Sequence, residues 1–251
     1  AFAANGDMTM TYVPDSGSTV TFANASYSWP DNNNVTWYGY ATYAQLPSSA
    51  NLAALPVRIT YTGTSLKVNG VEVSTNGTTY TGTIDLANGL ATVEVISANG
   101  SRVYYAAANT ATSFNVSVQI EYDNLVTLSN MTANTAYIGA RPGATQCSYL
   151  SLLNRLATDN GLTIMDDKYN FISDSMLYVD SISGVDKSYS PQYTYSIYGG
   201  NAGGWMFGVK RGNAVVKYPN ISAAYLYLKA GDVVTFSYTC DLGYDLGSPM
   251  M

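Results

Sequence analysis

Histidine is absent from the 251 residues. Its absence removes the imidazole base of Ser-His-Asp and Cys-His catalysis and every imidazole metal ligand. Acid–base chemistry would fall to carboxylates, and Asp166-Asp167, Asp174, Asp180, Asp186 and the pair Asp241 and Asp245 are the candidates. They lie mostly in polar loop sequence, so solvated loop positions account for them and no enzymatic activity is expected. Asp166 and Asp167, with nearby carbonyls, also suit a weak surface Ca²⁺ site, because calcium takes hard oxygen ligands. No EF-hand spacing supports that site, and no resident metal or cofactor is expected. Gly199-Gly200 and Gly203-Gly204 lead into a strand, not a helix start, so they do not form a phosphate cradle. Cys147 and Cys240 lack C-x-x-C spacing, which leaves redox chemistry unsupported. They are read as a disulfide closing a long loop, favoured for a protein outside the cell, or as two buried thiols.

The other chemistry-bearing side chains are aromatic or amide. Trp205 and Phe207 follow a glycine pair, and a flat ring there could stack on a sugar or another planar ligand. Alternation across a half-buried strand would instead send them into a core or an interdomain contact. Trp29 and Trp37 are the further candidates for an exposed aromatic contact. The 23 tyrosines fit either strand packing or an assembly surface, since tyrosine covers apolar area with a polar tip. Seven N-x-Ser/Thr sequons, at Asn24, Asn34, Asn76, Asn99, Asn115, Asn130 and Asn220, are candidate N-glycosylation sites. Chance accounts for several of them in a sequence so rich in Asn, Ser and Thr.

Net charge is −6, from 11 Lys and Arg against 17 Asp and Glu, and only 11% of residues are charged. Without a basic patch to neutralise phosphates, nucleic acid is not an expected partner. No apolar run is long enough for a transmembrane helix. The opening Ala1-Phe2-Ala3-Ala4 is read as a mature N-terminus after signal-peptide removal or as a proteolysis product. An extracellular or cell-surface location is expected.

Residues 1–110 are expected to form a β-sandwich. Leu66 to Val73 is a strand pair about Asn69-Gly70, the strongest short hairpin signal, and Ala91 to Ile96 alternates with period two. Tyr40 to Pro56 is read as a loop or short helix. Met8, Met10 and Tyr12 alternate with polar residues. That segment is either the first strand of its own domain or a strand donated to a neighbouring copy. Residues 111–251 are expected to form a small α+β domain with one principal helix, Thr145 to Asn160, packed on a sheet. Tyr149, Leu152, Leu153 and Leu156 supply its apolar face, and Asn160-Gly161 its stop.

Two families resemble parts of this pattern. Gly204-Trp205-Met206-Phe207-Gly208-Val209 and the run from Tyr225 through Lys229-Ala230-Gly231-Asp232 to Thr239 resemble the transcobalamin-like C-terminal domain family, DUF4430. The turn at Pro142-Gly143 and the sequence Asn160-Gly161-Leu162-Thr163-Ile164 extend the resemblance over roughly residues 114 to 239. It implies a secreted non-catalytic module, in whose carrier members the strand after the glycine turn lies close to a corrinoid. Residues Leu66 to Ala107 resemble the cadherin-like sandwich repeats of microbial surface proteins. Together these point to a cell-surface structural protein, an adhesion module or the subunit of a self-assembling filament, partnered by its own copies, other surface proteins or glycans. A carbohydrate- or corrinoid-binding module is the alternative.

Overall fold

The computed structural model describes residues 7–30, 36–111, 114–121, 131–133, 161, 164–165, 181–182, 204–219, 221, 223, 226–239 and 246–247. The protein divides into two units, residues 1–112 with 211–213, and residues 113–210 with 214–251.

In the first unit, alternating apolar residues build ten strands: β1 (Met8–Tyr12), β2 (Val20–Thr21), β3 (Ala23–Pro30), β4 (Thr36–Gln45), β5 (Leu55–Tyr61), β6 (Ser65–Val68), β7 (Val71–Glu72), β8 (Thr79–Ile84), β9 (Ala91–Ser97) and β10 (Gly100–Asn109). They form a four-stranded sheet ordered β2-β1-β5-β8 and a six-stranded sheet ordered β3-β4-β10-β9-β6-β7. Period two sends every other side chain to the same face. Met8, Met10, Val57, Ile59 and Ile84 of one sheet therefore share a core with Leu66, Val68, Val93, Val95, Tyr104, Ala106 and Ala108 of the other. The hairpin between β6 and β7 turns through Asn69 at φ 50° and Gly70 at φ 78°, the left-handed pair that matches strand twist. The stretch read as loop or short helix is resolved into strand up to Gln45 and a 3₁₀ turn, Leu52–Ala54, capped by the Asn51 carboxamide accepting from the Ala53 amide at 3.1 Å.

One pairing is not local. Strand β10 runs parallel to β4, from Tyr104 opposite Tyr40 to Asn109 opposite Gln45, and antiparallel to β9. Parallel neighbours require a long connection, and here strands β5 to β9 supply it. At this pairing the residues of opposite parity, Ala41, Tyr43, Ala107 and Asn109, are buried as well. There the Asn109 carboxamide nitrogen donates to the Tyr43 hydroxyl at 3.0 Å, which keeps a buried amide satisfied.

The second unit contributes β11 (Phe114–Glu121), β12 (Met131–Ala133), β13 (Ile164–Met165), β14 (Ser181–Ile182), β15 (Gly204–Arg211), β16 (Ala214–Lys217) and β17 (Val233–Thr239). Five of them form a sheet ordered β12-β11-β17-β15-β16, while β13 and β14 pair separately. Register sets Trp205 opposite Tyr238, Phe207 opposite Phe236 and Val209 opposite Val234, all six buried. Trp205 meets Tyr238 edge to face at 5.5 Å, and the Phe207 and Phe236 rings lie 5.9 Å apart. The turn into β17 is closed twice: the Asp232 amide donates to the Lys229 carbonyl at 3.0 Å and the Lys229 amide to an Asp232 carboxylate oxygen at 2.8 Å.

Two expectations are corrected. The fold is mainly β, but no helix of seven or more residues occurs among the described residues, so the α+β description with a principal helix on a sheet does not hold. Thr145 to Asn160, where that helix was placed, lies outside the described residues. Four apolar residues over about two helical turns are too short a pattern to separate a helix from another buried segment. The disulfide is corrected too: no cysteine pair stands at disulfide distance, and Cys147 and Cys240 both lie outside the described residues. A bridge needs the two Cα atoms within about 7 Å, which separation along the sequence does not establish. No helix among the described residues is long and apolar enough to cross a membrane.

Candidate functional site

The hairpin of β3 and β4 outruns its sheet. Strand β3 pairs with β4 along its whole length, but β10 joins β4 only from Tyr40 onward. Tyr27–Pro30 and Thr36–Gly39 therefore extend as a two-stranded ribbon, with Trp29 in register with Trp37 and Tyr27 with Gly39. Tyr38, on the same ribbon, is 63% exposed.

Where the ribbon meets the sheet, Arg102 closes one end of the sandwich. Its guanidinium lies 4.5 Å from the centre of the Tyr40 ring and donates to the Asp7 carboxylate at 2.7 Å. Tyr40 and Tyr104 pack ring to ring at 5.2 Å. Burial works to lower the Arg102 pKa, but the Tyr104 hydroxyl and the neighbouring Tyr40, Tyr104 and Asp7 outweigh it and hold the guanidinium above its ordinary value. A planar cation stacked on an aromatic and paired with a carboxylate is a fixed, always-charged clasp. It ties the start of β1 to β10, and the Asp7 carbonyl adds a bond from the Thr62 amide at 2.9 Å. Nothing in the sequence pointed to this cluster, whose members come together only through sheet register.

Burial pushes the Tyr104 and Tyr105 hydroxyls above the ordinary 10.0; at Tyr104 the bond to Arg102 opposes the rise. Each keeps its proton in the folded state at pH values where the unfolded state has released it. Their contribution to stability is complete below about pH 10 and is lost as pH rises through the raised folded values. Tyr105→Phe is expected to leave the neutral-pH denaturation midpoint nearly unchanged and to shrink its decline above pH 10. Midpoints measured across an alkaline series check this, and an undiminished decline would exclude Tyr105 as a cause.

The other residues singled out in the sequence fall into distinct places. Met8, Met10 and Tyr12 are buried in their own sandwich, where β1 pairs with β5 along its length and with β2 at Thr11 and Tyr12. Its remaining edge is used too: the Met10 carbonyl accepts from the Phe22 amide at 2.9 Å and the Met8 carbonyl from the Asn24 carboxamide at 2.7 Å. Trp205 is 3% exposed, with Phe207 buried beside it, so neither presents a ring face to solvent. Of the sequons, Asn76 and Asn99 sit exposed in hairpin turns, and Asn24 is exposed but bonded to Met8. Asn115 lies in β11, while Asn34, Asn130 and Asn220 lie outside the described residues. So do the carboxylates Asp166, Asp167, Asp174, Asp180, Asp186, Asp241 and Asp245. Among the described residues no three His, Cys, Asp or Glu side chains are grouped to hold a metal.

A second network was partly legible. Asp85 accepts from the Ala87 and Asn88 amides at 2.8 and 3.2 Å and from the Asn88 carboxamide at 3.0 Å. The Asn69 carboxamide donates to the Asp85 carbonyl at 3.1 Å while its oxygen accepts from the Thr92 amide at 3.0 Å. The Asp85 carboxylate bonds are local and of the Asx type, whereas those of the Asn69 carboxamide are long-range and tie its turn to two other segments. No family model, curated protein or solved structure matches this protein.

Proposed function

We propose that the protein is a non-catalytic extracellular structural module that associates with copies of itself, as an adhesion element or filament subunit. The reading is carried by the outermost strands of two sheets. Val71 on β7 is 66% exposed and Val215 on β16 is 62% exposed, and each strand is the last in its sheet among the described residues. An exposed apolar residue on an outermost strand is a pairing surface. The charges near the two valines are exposed and opposite in sign, Glu72 on β7 and Lys217 on β16. Docking β7 of one copy against β16 of the next pairs two outermost strands and sets an acidic one beside a basic one. Two different surfaces meeting in this way propagate head to tail. This replaces donation of residues 8–12 as the assembly mechanism, because that segment is built into its own core.

The resemblance of the second half to the transcobalamin-like family is kept as part of this reading, supported by the Trp205 strand and the Lys229–Asp232 turn that leads into β17. Corrinoid stacking on Trp205 draws no support from a ring that is buried. The ribbon with exposed Tyr38 favours glycan contact as the second reading.

Light scattering over a concentration series, with electron microscopy of the same samples, tests the assembly. The parent protein is expected to grow with concentration, Glu72→Lys to stay monomeric, and the double variant Glu72→Lys with Lys217→Glu to recover growth. A parent that stays monodisperse at every concentration would sink the filament reading. If its fluorescence then shifts with soluble oligosaccharides, the glycan reading takes its place.

A further inference from the structure

Four Asn-Gly pairs with both residues described lie in the first unit: Asn69-Gly70, Asn76-Gly77, Asn88-Gly89 and Asn99-Gly100. Locally they share one chemistry. The backbone nitrogen of the glycine can attack the asparagine carboxamide carbon, since glycine has no side group to hinder the approach. A new C–N bond forms, the carboxamide C–N bond breaks, and ammonia leaves with the proton taken from the glycine amide. Water then opens the resulting succinimide to aspartate or isoaspartate. No oxidant or enzyme is required, and the product carries one extra negative charge.

The fold treats the four pairs differently. At Asn69 both polar atoms of the carboxamide are engaged, the nitrogen with Asp85 and the oxygen with Thr92. The attacked carbon there cannot turn toward Gly70 without breaking two bonds. At Asn88 the leaving nitrogen is held by the Asp85 carboxylate at 3.0 Å, and Gly89 is buried. Asn99 is exposed, but Gly100 is the first residue of β10 and lies in register with Ser97. Only Asn76 combines an exposed carboxamide that no hydrogen bond ties to another described residue with an exposed glycine outside the strands. The Asn76 backbone exchanges both hydrogen bonds with Thr79, at 2.8 and 3.1 Å, which leaves Gly77 at the tip of the turn with φ 62°.

We infer that, of these four pairs, Asn76 is the site of spontaneous modification, converting through a succinimide with Gly77 to aspartate and isoaspartate, and that the fold protects Asn69 and Asn88 from the same reaction. Asn99 converts more slowly than Asn76 because attack by Gly100 must wait for the end of β10 to fray. The nitrogen that leaves is the atom a glycan would occupy in the sequon Asn76-Gly77-Thr78. A sugar there would block the reaction, and the site would record the age of unglycosylated molecules.

The test uses the full-length protein made in a host without N-glycosylation, incubated folded in mildly alkaline buffer and, in parallel, unfolded in denaturant. Peptide sequencing by mass spectrometry assigns the amide-to-acid mass gain to each asparagine, and isoaspartyl methyl labelling confirms the product. In the folded protein Asn76 is expected to convert roughly tenfold or more faster than Asn69 and Asn88, the factor that one or two hydrogen bonds impose. In denaturant the four rates converge. Folded-state conversion of Asn69 or Asn88 at the rate of Asn76, or an Asn76 that reacts only when unfolded, would overturn the assignment. Gly77→Ala is expected to slow Asn76 while leaving Asn99 unchanged.

Discussion

Trp205→Ala is expected to destabilise the second unit by about 3–5 kcal/mol, the cost of removing a fully packed aromatic side group. The ring is buried, contacts Tyr238 edge to face and heads a row of three cross-strand pairs that continues through Phe207–Phe236 and Val209–Val234. Its removal opens a cavity at one end of that row, and the neighbours relax only partly because β17 is held between β15 and β11. Hydrogen-exchange protection of the β15 and β17 amides, with a denaturant series followed by circular dichroism, reads the loss unit by unit. Trp205→Phe keeps most of the volume and is expected to retain most of the protection. A Trp205→Ala variant as stable as its parent, altered only in ligand binding, would show that Trp205 serves a ligand and not the fold.

Met10→Ala is expected to cost the first unit about 2–5 kcal/mol. Met10 is 0% exposed, and it faces the opposite sheet from a strand paired to β5 over its whole length. Deleting residues 1–13 removes all of β1 and strips one edge of β5, so it is expected to unfold this unit and not merely uncouple copies from one another. Urea denaturation with size-exclusion chromatography separates these effects. If Met10→Ala left the monomer's stability intact and abolished assembly, β1 would be a donated strand after all. The Asp7–Arg102 clasp argues the same way, because it fastens the backbone at the point where β1 begins.

The local features of the first unit were readable in advance for physical reasons. Asn69-Gly70 demanded a left-handed two-residue turn, and strict alternation over Ala91 to Ile96 demanded a strand with one buried face. The helix and the disulfide failed because each rested on a pattern too weak for the distance it had to span. The parallel pairing of β4 with β10 had no local signature, since the bonds of a parallel ladder join residues separated by the whole of β5 to β9.

Composition and period by themselves determined that this is a mainly β protein without histidine chemistry, rich in tyrosine and poor in charge. Those are properties of residue type and of spacing within one strand, so no partner strand was needed to read them. Tertiary structure decided which face each aromatic took and which amides were held. A one-residue change of register exchanges the buried and exposed faces of a strand. Strand partners set that register, which is why Trp205 is buried, Tyr38 is exposed and Arg102 meets Asp7 across the end of the sandwich. The same partners separate Asn76 from Asn69: the two carry the same dipeptide, and only Asn69 has its carboxamide tied into a neighbouring turn.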